Sequence, residues 1–218
     1  MKYDQHFIID SEVAKKIVSF LDIKKNEKVL EIGPGKGILT QFLNGNITVI
    51  EIDKNLCWGL KEKFPKIKVI NANILKCTGS YDKIISNVPY SICEPLMNKL
   101  IKMNFKEAVL IVPYKFMENG VLSLVMNHFF NIKKLMNVDN RAFYPIPKRE
   151  SKVILIEHKK LNEKEVLLKN IYIQSDKKLK NVLKTKIEIK KSNLDFLEKK
   201  IYQINYNEWQ KIIKVIEL

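Results

Sequence analysis

Cysteine is scarce in this chain, arginine is almost missing, and no long apolar run occurs. The three cysteines, Cys57, Cys77 and Cys93, form no C-x-x-C pair and no cluster with histidine. That argues against a disulfide framework and against a structural zinc site, and leaves them as scattered small hydrophobes. No stretch approaches the roughly 20 apolar residues needed to span a bilayer. The opening "MKYDQHFIID" lacks the apolar segment of a secretory signal. A soluble, cytoplasmic protein is therefore expected. Low-complexity tracts and internal repeats are also missing.

Acidic residues are short in supply: 24 Asp and Glu face 39 Lys and Arg, a formal net charge of +15. Such an excess invites a polyanionic partner, nucleic acid above all. All but Arg141 and Arg149 of these cations are lysine, accompanied by many Ile and Asn, a combination that an A/T-biased genome also produces. Charge alone does not decide between the two, and motifs must.

The chain does have 46% hydrophobic content over 218 residues, ample for a core. Strand-like runs occur at "KVLEIG", "ITVIEID", "KVINANI", "DKIISNV", "EAVLIVP", "KLMNVD" and "SKVILIEH". Between them lie helical patterns: one from Ser11, one after Gly37, then "KNLCWGLKEKF", "ICEPLMNKLIKM" and "VLSLVMNHFF". This alternation predicts an α/β fold built on a doubly wound seven-stranded sheet. Only the loop "NRAFYPIPKRE" separates the last two strands, so these are expected to pair antiparallel. From Leu161 the chain is rich in Lys, Glu, Leu and Ile and has no Gly or Pro. The expected division is a domain over 1–160 and a small domain of short helices over 161–218.

"VLEIGPGKGILT" is a strand entering a glycine-rich turn. Gly33, Gly35 and Gly37 allow a tight turn and close approach of a ligand. The G-x-G-x-G spacing differs from the dinucleotide fingerprint. Glu31 precedes the turn. Glu51 and Asp53 end the next strand, where a carboxylate can accept both hydroxyls of a ribose. Asn73 ends the third, where a polar group can face an adenine edge. Glycine turn, carboxylate and polar side chain on successive strand ends suit a nucleoside without pyrophosphate, such as S-adenosylmethionine. "NVPY" (Asn87 to Tyr90) ends the fourth strand. Pro89 has a fixed φ and no N–H to give, so that loop is stiff.

These segments together resemble the ribosomal RNA adenine N6-dimethyltransferases, of the KsgA type and related to the erythromycin-resistance methylases. "EIGPGKGILT", "VIEID" and "SNVPYS" match the family's class I methyltransferase motifs; "QHFIID" (Gln5 to Asp10), "FYPIPK" (Phe143 to Lys148) and "QSDKKLKN" (Gln174 to Asn181) match its remaining ones, in order. The chain departs from the pattern at Asn73, where the family has Asp, at "VPYKF" (Val112 to Phe116), and at Ser175 and Asp176, where it has arginines. The resemblance implies a class I, Rossmann-like methyltransferase that uses S-adenosylmethionine and no metal. It implies transfer of two methyl groups to adenines of small-subunit ribosomal RNA by a monomer. Alternatives are a paralogue acting on another RNA or adding one methyl, and a non-catalytic RNA-binding assembly factor.

By the same resemblance His6, Ile8, Gly33, Gly35, Glu51, Asn73 and Asn87 bind the cofactor, and Asn87, Pro89, Tyr90 and Phe143 carry catalysis. Adenine N6 is a poor nucleophile because its lone pair is delocalised into the ring. The Asn87 side-chain oxygen and a backbone carbonyl at Val88 or Pro89 can accept its two hydrogens, while Tyr90 and Phe143 stack on the extruded base. Of the other histidines, His128 and His158 read as surface or motif positions. Lysines 177, 178 and 180 are expected to contact phosphates.

Overall fold

The structure is a computed structural model and describes residues 6–183 and 194–217. Gln5 of the N-terminal motif and residues 184–193 of the expected helical region lie outside them.

A seven-stranded sheet is built from β2 (Lys28–Ile32), β3 (Asn46–Glu51), β4 (Lys68–Asn71), β5 (Lys83–Asn87), β6 (Glu107–Pro113), β7 (Phe130–Val138) and β9 (Ser151–His158), in the order β4-β3-β2-β5-β6-β9-β7. The first five strands run parallel, and β9 pairs antiparallel with both β6 and β7, as the short connection requires. Central β2 is buried at four of its five residues, whereas edge strand β4 is not, which is how a sheet covered on both faces reads in sequence. The chain leaves β2 toward β3 and β4 on one side and returns through β5 on the other. Strand order thus reverses between β2 and β5, where open α/β sheets leave a crevice at the strands' C-terminal ends.

Helix α1 (Ser11–Ser19) is capped by Asp10, whose carboxylate accepts the N–H groups of Glu12 and Val13 at 3.0 Å each. Its face bearing Ala14, Ile17 and Val18 joins a core cluster with Val29, Ile85, Val109 and Val153. Asp53 caps α2 (Lys54–Lys63) in the same way, so this carboxylate starts a helix. Helix α3 (Cys93–Leu100) follows β5.

Several expectations need correction. No α-helix follows Gly37; turns lead into a short 3-10 segment, Thr40–Phe42. Residues 38–45 must run back along the length of β2, about 17 Å for five residues of strand. Eight residues of α-helix would rise only about 12 Å. The expected helix "VLSLVMNHFF" also ends one residue early: β7 begins at Phe130, well before the "KLMNVD" that suggested it. Within "NRAFYPIPKRE" lies β8 (Phe143–Tyr144), paired antiparallel with β1 (Phe7–Ile8) as a small separate ribbon. His158, expected at the surface or in a motif, has its ring 4.5 Å from that of Phe105 and 4.6 Å from that of Phe130.

By contacts the chain divides into two units. The first runs to Phe116 and takes up Phe130–His158; the second holds Met117–Phe129 and runs on from Lys159. Residues 117–129, which chain order assigns to the first 160 residues, therefore change sides. The reason is hydrophobic: α4 (Val121–Phe129) is apolar along Val125, Met126 and Phe129, and the Phe129 ring meets that of Tyr172 edge-on at 6.4 Å. Tyr172 ends α5 (Glu163–Tyr172) and in turn lies 5.5 Å from the buried Trp209 of α7 (Tyr206–Glu217). Between them lies α6 (Leu179–Leu183). Lys178 and Lys180 both pair with Glu198, at 3.0 and 2.5 Å, and Lys177 donates to Gln174. That patch therefore offers less net charge to a phosphate than its sequence suggests. No described helix is long and apolar enough to cross a membrane.

Candidate active site

A cavity opens at the C-terminal ends of β2 to β5. It gathers His6, Gly33, Gly35, Glu51, Asn73, Asn87, Pro89, Tyr90 and Phe143, which are all but one of the residues that the resemblance assigns to cofactor binding or catalysis. The exception is Ile8: it is 4% exposed, faces the core from β1, and borders a smaller neighbouring cavity beside Glu31.

Each strand end contributes through a different bond. Glu51 is buried, yet both its oxygens are engaged by backbone: Oε2 accepts from the Gly35 N–H at 3.2 Å and Oε1 from the Asp53 N–H at 2.9 Å. The carboxylate thereby ties the glycine turn to the end of β3. Gly35 has φ +56°, and a Cβ there would sit 2.7 Å from the Phe7 ring, so both its conformation and its packing require glycine. At Gly33, φ +62°, a Cβ would meet nothing within 4 Å. The space beside it is open cavity.

Asn73 accepts the Leu75 N–H through Oδ1 at 2.9 Å, capping a short 3-10 turn. Its Nδ2 has no partner among the described residues and is left to a ligand. Asn87 donates from Nδ2 to the His6 carbonyl at 2.7 Å. That bond fixes the amide's orientation and leaves Oδ1 as an acceptor. His6 Nδ1 bonds the Pro145 carbonyl at 2.8 Å, and its ring stands 5.6 Å from that of Tyr90. The Tyr90 hydroxyl meets the buried Ser151 Oγ at 2.8 Å. Phe143 is only 2% exposed, so it forms wall, not a protruding ring.

Sequence reasoning passed over several contributors. Phe7, Ile52, Ile74 and Leu75 line the cavity but carry no chemistry to flag them. Ile52, 47% exposed and directly after Glu51, is an apolar side chain where a solvated one would be normal, and suits the face of a flat base. The cysteines are less scattered than they read: the thiols of Cys57, Cys77 and Cys93 lie 3.5, 3.3 and 3.7 Å from the carbonyls of Glu51, Asn73 and Pro89. Each is a weak donor to a strand-end residue of the cavity.

This set fits S-adenosylmethionine. Gly33 leaves room beside the turn, Glu51 supplies a carboxylate at ribose height, Ile52 and Ile74 offer apolar surface to a purine, and the free Asn73 Nδ2 can donate to a purine ring nitrogen. The described residues contain no His/Cys/Asp/Glu group suited to a metal ion.

Glu31 has an environment unlike the others. It is 1% exposed, its Oε2 accepts from Thr40 Oγ1 at 2.6 Å, and burial pushes its pKa up to about 8, with the Thr40 bond opposing and the Glu51 charge adding. Between pH 4.5 and 8 the folded carboxyl keeps a proton that the unfolded chain has lost, so its contribution to stability falls as pH rises through that window. Glu31→Gln keeps an acceptor for Thr40 and cannot ionise. In cofactor-free protein, denaturant titrations should show the variant gaining on the wild type from pH 5 to pH 8, by about 1.4 kcal/mol per pH unit at most. A difference that stays constant with pH would show that Glu31 is ionised in the fold.

A family model described as "Ribosomal RNA adenine dimethylase" matches residues 1–216 of the chain. A protein of Malacoplasma penetrans named "Ribosomal RNA small subunit methyltransferase A" is 38% identical over 180 residues, covering 73% of this chain and 66% of that one. A protein of the same name from Wigglesworthia glossinidia brevipalpis is 35% identical over 218 residues, covering 84% and 83%. Among solved structures, a dimethyladenosine transferase from Plasmodium falciparum superposes with a TM-score of 0.67 at 24% identity, covering 95% of this chain and 96% of that one, a likeness of fold.

Proposed function

Because the chain belongs to the ribosomal RNA adenine dimethylase family, a family of S-adenosylmethionine-dependent RNA methyltransferases, we propose that it dimethylates adenine N6 in small-subunit ribosomal RNA, acting as a cytoplasmic monomer. The observation that carries the reading is the orientation of Asn87, whose Nδ2 is spent on the His6 carbonyl while Oδ1 stays available at the cavity.

S-adenosylmethionine supplies an electrophilic methyl on a sulfonium that leaves as a neutral thioether. The chain's own residues do the rest. Glu51, at the end of β3, holds the ribose hydroxyls; the turn at Gly33 and Gly35 lets the amino-acid portion lie against backbone; Asn73 Nδ2 addresses the purine edge. On the substrate side Asn87 Oδ1 and a backbone carbonyl at Val88 or Pro89 accept the two N6 hydrogens, which turns the nitrogen lone pair toward the methyl. Tyr90 stacks on the extruded base, with Phe143 closing the opposite wall. The N6 proton becomes acidic once the fourth bond forms and departs to water, so no strong base is needed.

The test is single-turnover transfer of labelled methyl from S-adenosylmethionine to small ribosomal subunits that lack the modification, followed by nucleoside mass spectrometry. N6,N6-dimethyladenosine is the expected product. Labelled N6-methyladenosine alone, or transfer only to other RNA, would favour a paralogue. Cofactor binding with no transfer to any RNA would favour an assembly factor.

A further inference from the structure

We propose that Tyr114, with the ammonium groups of Lys134 and Lys152 over its ring, is a docking point for the phosphate backbone of the RNA strand that carries the target adenine. The inference rests on the RNA methyltransferase reading above. It concerns the "VPYKF" segment, where the chain departs from the motif pattern.

Tyr114 directly follows β6, on the same C-terminal edge of the sheet as the cavity. Lys134 Nζ lies 5.2 Å and Lys152 Nζ 5.6 Å from its ring centre, both within cation–π range. The two lysines come from different strands, β7 and β9, and meet over one ring. The β7 ladder slips between Lys134 and Met136, a bulge of the kind that re-aims a side chain.

Continuity with the active site is direct. The Tyr114 N–H bonds the Glu150 carbonyl at 2.8 Å, and the next residue, Ser151, holds the Tyr90 hydroxyl at 2.8 Å. Ser151 also faces Pro113 across the ladder. Two consecutive residues, Glu150 just before β9 and Ser151 at its start, therefore hold the lysine-bearing tyrosine on one side and the base-stacking tyrosine on the other. In the proposed arrangement, a strand whose adenine is extruded against Tyr90 runs its phosphates past this edge.

Charge complements that path. Some lysines among the described residues are neutralised by carboxylates, as Lys83 is by Glu107, Lys106 by Asp82 and Lys199 by Glu208. Lys134 is exposed and has no carboxylate within salt-bridge distance among the described residues. Exposed Lys148 and Arg149 flank the same segment. A ring beneath an ammonium restricts its motion without cancelling its charge, which lowers the entropy lost when a phosphate binds.

The test measures binding of a short, adenine-containing single-stranded RNA over a series of salt concentrations, which needs no turnover, alongside methyl transfer to unmodified small subunits. Lys134→Gln should weaken RNA binding roughly tenfold and lower the slope of log K against log salt by about 0.7, as loss of one phosphate contact to a single strand does. Tyr114→Leu should weaken binding by removing the ring beneath the lysines, Tyr114→Phe should restore it, and cofactor affinity should not change in any of them. Wild-type affinity and slope in Lys134→Gln would overturn the proposal while leaving the methyltransferase reading intact. A lysine-dependent slope in a protein that transfers no methyl would uphold the phosphate contact at Tyr114 but remove that reading, and with it the assignment to a strand carrying a target adenine. If the wild type binds no RNA, both fall.

Discussion

Asn87→Ala is expected to slow methyl transfer by about 10² to 10³ at saturating cofactor, the usual cost of removing one positioned polar contact to a reacting group. Two losses combine in that number. The acceptor for an N6 hydrogen disappears, so the nitrogen lone pair is no longer aimed. The 2.7 Å bond to the His6 carbonyl goes too, and with it the tie between the end of β5 and the N-terminal ribbon. Some loss of cofactor affinity should accompany the rate effect, since Asn87 lies between both ligand positions. Tyr90→Ala should produce a rate loss of similar order, because the base loses its stacking face, worth about 1 to 3 kcal/mol. Tyr90→Phe keeps the ring and removes the hydroxyl's bonds to Ser151 and to the Arg149 carbonyl, so it should retain most of the rate. Single-turnover measurements on all three, with melting curves as a control for folding, decide the matter. If folded Asn87→Ala and Tyr90→Ala proteins transfer methyl at the wild-type rate, the catalytic role of the "NVPY" loop is refuted.

Glu51→Ala is expected to weaken S-adenosylmethionine binding tenfold to a hundredfold, corresponding to the roughly 1.5 to 3 kcal/mol of a charge-assisted hydrogen bond. Direct loss of the ribose contact is one contribution. The other is indirect, since the same carboxylate bonds the Gly35 and Asp53 N–H groups and so shapes the turn that the cofactor lies against. Glu51→Gln separates them: a single carbonyl oxygen can serve one N–H but not both, and its amide donates where an acceptor is wanted. An affinity between those of wild type and alanine is expected for it. Calorimetry is the measurement, and unchanged affinity in a folded Glu51→Ala protein would remove this residue from the cofactor site.

Local sequence determined much of this protein. Alternating apolar runs and helical periodicity place the sheet strands and helices α1 to α3 within a few residues, because burial on a strand or helix face is written at fixed spacing. The glycine turn and the polar residues at the ends of β3, β4 and β5 are legible for the same reason: a chain leaving a buried strand emerges at the sheet's edge, where polar and turn-forming residues replace the apolar run. Where geometry is set by path length, the pattern misleads, as after Gly37, where too few residues remain to return along β2 as an α-helix.

Tertiary structure alone decided the rest. A two-residue strand has no periodicity, so nothing local announces that Phe7 and Ile8 pair with Phe143 and Tyr144 to lay His6 against the cavity. The orientation of Asn87 depends on a carbonyl 81 residues away, and the pose of Tyr90 on a hydroxyl 61 residues away. Helix α4 shows its apolar face in the sequence, but not that the face belongs with α5 and α7. The raised pKa of Glu31 follows from its burial, which its position before the glycine turn does not announce. Periodicity records which side of an element is buried; only the packed chain records what it is buried against, and the bonds that aim this site run between elements far apart in sequence.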